Sequence, residues 1–107
     1  MSQAWVMLIV AGVLEIGWAM GLKATEGFTR PVPTILTLIA LLGSLLLLAR
    51  AVQVLPIGTA YAIWVGIGAA GTVVLGIVLY GEGVSPLKIV SLLAVLGGIV
   101  GLKLSSA

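Results

Sequence analysis

The chain of 107 residues is 62% hydrophobic and 7% charged, with a mean hydropathy of +1.37; soluble domains carry about a quarter charged residues, so it reads as an integral membrane protein. That length holds four spans of about twenty residues with short connections, one all-α transmembrane domain over 1–107, and no soluble domain beside it. The absence of Cys and His excludes disulfides, thiolate or imidazole metal sites and catalytic triads, and the five basic residues behind the net charge of +2 are scattered singly, so no patch for nucleic acid forms.

The first span is expected at about 4–23, with Trp5 at one interface and Lys23 able to snorkel at the other. No basic segment precedes it and it is too long for a signal peptide, so it reads as a retained helix. Glu15 is its only acidic residue and, at about 1.5 Å per residue, falls near the bilayer midplane. An ionised side chain at that depth costs at least about 2.5–3.5 kcal/mol, which marks Glu15 as a functional candidate. The other two carboxylates, Glu26 and Glu82, fall in predicted loops well away from it, so neither a metal site nor an enzyme is expected. Spacings of three place Gly12 and Trp18 one turn either side of Glu15, the first leaving space and the second offering an indole N–H. Each also has a plainer reading: close helix packing for Gly12, a lipid-facing filler for Trp18.

After a turn at Glu26-Gly27, Pro31 and Pro33 open a second helix, expected at about 32–51. Its Ser44 lies about as deep as Glu15, where a hydroxyl either orients that carboxyl or bonds back to its own helix. No charge occurs from 51 to 81, too long for one span, and Pro56 divides the stretch into a short loop and a third helix at about 57–80. Tyr61 and Trp64 share one face of that helix, while Gly66 and Gly68 mark either a bend or a place of close packing. Ser85 and Pro86 supply the N-cap and first residue of a fourth helix at about 86–104. There Gly97 and Gly101 form a small-xxx-small face suited to pairing in lipid, which makes them candidate dimerisation residues.

Four spans put both chain ends, Arg50 and Lys103 on one side of the membrane, and Lys23, Arg30 and Lys88 on the other. Orientation is normally fixed by a clear excess of basic residues on one side, so this near-balance predicts insertion both ways. Many transporters build a midplane site between two inverted halves of one chain. Here an antiparallel, dual-topology homodimer would supply the second half and bring two copies of Glu15 to one site.

The stretches Glu26-Gly27-Phe28-Thr29-Arg30-Pro31 and Pro56-Ile57-Gly58-Thr59-Ala60-Tyr61-Ala62-Ile63-Trp64-Val65-Gly66-Ile67-Gly68, with a membrane Glu in the first of four helices, resemble the small multidrug resistance transporters over essentially the full chain. Within that family, Gly12-Val13-Leu14-Glu15-Ile16-Gly17-Trp18-Ala19 is similar to the guanidinium exporter subtype, which has Gly before and Trp after the central Glu. The exporters of aromatic cations lack that pair and carry a Tyr in helix 2, which here has no aromatic residue. The resemblance implies that Glu15 binds substrate and protons in turn, that Trp18 and Ser44 hold its carboxylate, that Tyr61 and Trp64 line the pocket, and that Gly12 leaves room for the substrate. It also implies a dimer held by helix 4, a gating motion at the Gly66–Gly68 bend, and a multi-pass protein of the cell (inner) membrane.

A guanidinium ion stays charged at any physiological pH, and its planar N–H fork matches a carboxylate bidentately. A single carboxyl site then holds either protons or that cation, and alternating access exchanges one for the other without a cofactor or a separate relay. Competing readings are an exporter of quaternary ammonium and lipophilic aromatic cations using Tyr61 and Trp64 for cation–π contact, a partner-dependent membrane subunit, and an uncoupled proton channel.

Overall fold

In hydrocarbon every backbone N–H and C=O must find its partner within the protein, and a helix meets that need within one segment. The computed structural model, which describes residues 2–105, has four: α1 (Gln3–Ala24), α2 (Pro31–Ala51), α3 (Ile57–Tyr80) and α4 (Pro86–Ser105). All four are long and apolar enough to cross a bilayer, and no strand occurs among the described residues.

The helix ends follow from local chemistry. Ser2 caps α1, its hydroxyl accepting the Trp5 N–H at 3.4 Å. The α1–α2 turn winds around the buried Thr25, whose hydroxyl donates to the Leu22 carbonyl at 2.7 Å and accepts the Phe28 N–H at 3.2 Å. Three consecutive residues there, Glu26, Gly27 and Phe28, adopt positive φ, of which only Gly27 does so without a Cβ penalty. Pro31 and Pro33 start α2 where a missing N–H does no harm. α3 stops at Gly81, left-handed at φ 63°, and both Gly81 and Glu82 donate their N–H to the Gly76 carbonyl. Ser85 caps α4 by accepting the Lys88 N–H at 3.1 Å.

α1 packs along both α2 and α3, while α4 packs on α3, reaches α1 through Lys103 over Trp5, and has no fully buried residue. The result is a slab of 42 × 35 × 19 Å. Its interior is small: Leu8, Ala11, Ala51, Ala60, Ile63 and Trp64 form one buried cluster. Outside it lie large apolar side chains from every helix, as expected of surfaces whose solvent is lipid. Bare glycine faces let the helices approach: Gly12 meets Ile67, Gly71 meets Ile16, Gly21 meets Thr37, and Gly66 takes Ile99 of α4.

Gly17 and Gly21 test this packing within one helix. A Cβ at Gly21 would overlap the Thr37 hydroxyl, whereas one at Gly17 would meet open space. Both alanine variants gain helix propensity of about 0.8–1.0 kcal/mol. At Gly21, overpacking of about 1–3 kcal/mol opposes that gain. Thermal unfolding in detergent is expected to show a lowered midpoint for Gly21→Ala and an unchanged or raised one for Gly17→Ala; equal behaviour would exclude the α1–α2 contact as the cause.

Candidate functional site

Glu15 lies on the face of α1 that meets α3. Its carboxyl presses against Gly68, occupying the position a Cβ there would take, so that any larger residue at 68 would expel it from the seam. One carboxyl oxygen, Oε2, is buried without a hydrogen-bond partner, and so is the indole Nε1 of Trp18 one turn away. A buried acceptor and a buried donor left unpaired each cost free energy, and a ligand that pairs with either recovers it. Glu15 opens onto a cavity of about 360 Å³ that is otherwise apolar apart from Thr72, whose hydroxyl is likewise buried and unpaired.

One turn nearer the chain's N-terminal end of the bundle, a second polar layer joins three helices. The Trp64 indole donates to the Ser44 hydroxyl at 2.9 Å, and Ser44 donates to the Ala11 carbonyl at 2.7 Å. Ala11 precedes Glu15, and Trp64 precedes Gly68, by one helical turn each, so the two layers stack. The structure therefore brings Ser44 and Trp64 together and sets them beneath Glu15 without bonding either to it; the Ser44 proton is committed to backbone. Tyr61 extends the layer outward, its ring 5.7 Å from that of Trp64 and tilted by 45°. Trp64 is 7% exposed and Tyr61 56%, so the pair runs from the core to the protomer surface.

The remaining candidates have definite places. Gly12 is buried, with the Ile67 side chain filling the space above it: a Cβ there would come within 2.8 Å of the Ile67 Cβ. In this conformation its bare face serves helix packing. α3 is continuous α-helix across Gly66 and Gly68, and in this conformation the two positions admit Ile99 and the Glu15 carboxyl. Gly97 and Gly101 on α4 face open space. Lys103 reaches back over the Trp5 ring, 4.7 Å from its centroid. Among the described residues no group of three or more acidic side chains gathers that could hold a metal ion.

Gly68 as the seat of the carboxyl, and Thr72 beside it, were not singled out for those roles from sequence. The available signal is the four-residue step from Trp64 to Gly68 to Thr72, which puts all three on the α3 face toward α1.

Residues 3–95 match the model of a family described as Small Multidrug Resistance protein. The chain is similar to proteins named guanidinium exporter: 56% identical to that of Yersinia pseudotuberculosis, over 97% of this chain and 100% of the relative. Identity is 52% to that of Escherichia coli O6:H1 and 50% to that of Salmonella typhimurium, each over 97% of this chain and 99% of the relative. With four apolar helices and a family match over most of its length, the chain belongs to the small multidrug resistance family of membrane transport proteins.

Proposed function

We propose that this protein exports guanidinium and small guanidinyl cations across the cell membrane in exchange for protons, by alternating access to Glu15. The observation that carries the reading is the placement of Glu15, the one acidic side chain within the spans, with Oε2 buried and unpaired and the indole N–H of Trp18, one turn along the same helix, unpaired as well. A planar cation with a fork of N–H donors suits such a carboxylate. Similarity to relatives named guanidinium exporter supports the same substrate. Protons and cation compete for one carboxyl, so each conformational switch carries one or the other.

The working unit in this reading is an antiparallel homodimer. Basic residues divide two against three between the membrane faces, which favours insertion in both orientations. α4 has no fully buried residue within the protomer and offers Gly97 and Gly101 for close pairing. Two inverted copies place two Glu15 carboxyls around one midplane site, where Trp18, Tyr61 and Trp64 wall the substrate. Ser44 then supports the wall by holding the Trp64 indole.

Transport currents from proteoliposomes test substrate and site together. Guanidinium is expected to elicit a current that Glu15→Gln abolishes, with little response to tetraphenylphosphonium. The opposite preference would replace this reading with an exporter of aromatic cations working through the exposed Tyr61. Competition has its own signature: half-saturating guanidinium should rise as pH falls, and a value independent of pH would exclude a shared carboxyl. For topology, a single cysteine placed in the α1–α2 loop should be labelled by an impermeant thiol reagent from both sides of the membrane; labelling from one side alone would exclude dual insertion.

A further inference from the structure

Two rows of residues spaced four apart face each other along the α1–α3 seam. Glu15, Ala19 and Lys23 form one row, and Gly68, Thr72, Gly76 and Tyr80 the other. Contacts at both ends fix the register: the Glu15 carboxyl against Gly68, and the Lys23 ammonium over the Tyr80 ring, 4.4 Å from its centroid. Eight residues of helix separate Glu15 from Lys23, a rise of about 12 Å, which brings the seam from mid-bilayer toward the membrane surface.

The seam is hollow along that length because its middle residues are small. Beyond the cavity at Glu15 lies another of about 240 Å³, and the two share Ala19, Thr72 and Val73 in their walls. The buried, unpaired Thr72 hydroxyl stands at the junction. At the outer end Glu82, an exposed side chain, folds back along α3. Its carboxylate occupies the position a Cβ on Gly76 would take, so the bare backbone of Gly76 is what admits it. The outer cavity thus gathers a hydroxyl acceptor, the π face of Tyr80 and a carboxylate, three groups that each attract a desolvating cation. A cation of the chain's own, Lys23, already rests on the Tyr80 ring.

We propose that Glu82, Tyr80 and Thr72 form a second, transient cation-binding station between Glu15 and the membrane surface, and that Lys23 is a tethered cation which the exported one displaces from the ring. The station presupposes the guanidinium export proposed above and adds residues on its path. Glu82 draws the cation out of the apolar seam, and Lys23 keeps the outer end occupied when no cargo passes, lowering the apparent affinity there. Thr72 offers an oxygen at the halfway point, where the walls otherwise present none.

Half-saturating guanidinium for transport current, measured on the full-length protein in proteoliposomes, tests the station. Glu82→Gln is expected to raise it about three- to fivefold, the range an exposed ion pair supports. Lys23→Gln is expected to lower it about twofold, in keeping with loss of a competing exposed cation–π contact. Glu26→Gln is the control, since it removes the same charge at the same end of the bundle but outside the groove. Equal shifts for Glu82→Gln and Glu26→Gln would reduce the effect to surface charge and overturn the station, as would an unchanged value in Glu82→Gln. Should Glu82→Gln not assemble, Lys23→Gln decides alone: a rise or no change in half-saturation overturns the proposal. A wild-type protein silent toward guanidinium would overturn export and station together, whereas an active wild type with unmoved variants would remove only the station.

Discussion

A carboxyl group carried by a membrane-spanning helix has to be enclosed by protein, because lipid offers it nothing to bond and its exposure there costs several kcal/mol. Here the enclosure is a bare stretch of α3 backbone at Gly68, against which Glu15 lies. Close approach at that point demands close approach along the whole seam. Gly12 accordingly receives Ile67 below the carboxyl, and Gly71 receives Ile16 above it, an interlock of glycine with isoleucine on both sides. The polar layer of Trp64, Ser44 and Ala11 then ties α2 to the same seam through two hydrogen bonds. Three helices are thereby held around one side chain with few large buried residues.

The fourth helix answers a different need. Glycine inside a helix is worth about 1 kcal/mol less than alanine, so a helix that carries three of them without a packing partner gains nothing from them within the protomer. Gly97, Gly98 and Gly101 have that position, all meeting open space. In lipid, small residues are repaid by helix–helix contact, since apolar side chains gain no more from each other than from acyl chains. Most glycines of α1 and α3, Gly12, Gly21, Gly66, Gly68, Gly71 and Gly76, are used inside the chain, and those of α4 suit a second copy of it.

The four-helix architecture was legible because its signals are coarse: apolar length, most charges at or beyond the helix ends, and Pro at the start of α2, α3 and α4. Pro56 dividing a charge-free stretch and Ser85-Pro86 opening α4 are local rules that tertiary contacts do not override. Glu15 was legible for the same reason, being costly wherever it sits. Its partners were not, because facing residues on different helices depend on rotation and register that one sequence does not encode locally. Ser44 illustrates this: equal depth with Glu15 was readable, yet its proton goes to the Ala11 carbonyl. Gly66 and Gly68 illustrate it too, since a glycine pair that permits bending and one that admits a side chain are identical in sequence. Glu82, readable only as a loop acid, folds back onto α3 because Gly76 six residues earlier leaves it room.

Coupling in the proposed cycle depends on where the fixed cations are kept. Lys23, Arg50 and Lys103 stand at helix ends, Lys88 in the first turn of α4 and Arg30 in a loop, so no basic side chain of the chain lies beside Glu15. An arginine in the middle of a neighbouring helix would satisfy the carboxylate permanently and leave neither protons nor cargo a place. With the fixed cations held at the rim, the carboxyl is neutralised only by a mobile positive charge, and a switch with an empty, ionised site must carry a bare anion through the least polar part of the path. That penalty favours switching with a proton or a guanidinium aboard, which is what exchange requires. If both carboxyls of a dimer return protonated, two charges enter for each one that leaves, and a membrane potential negative inside contributes about 2.3 kcal/mol per 100 mV to the cycle. The coupling then follows from the absence of a fixed counter-ion at mid-membrane, with no gate needed to enforce it.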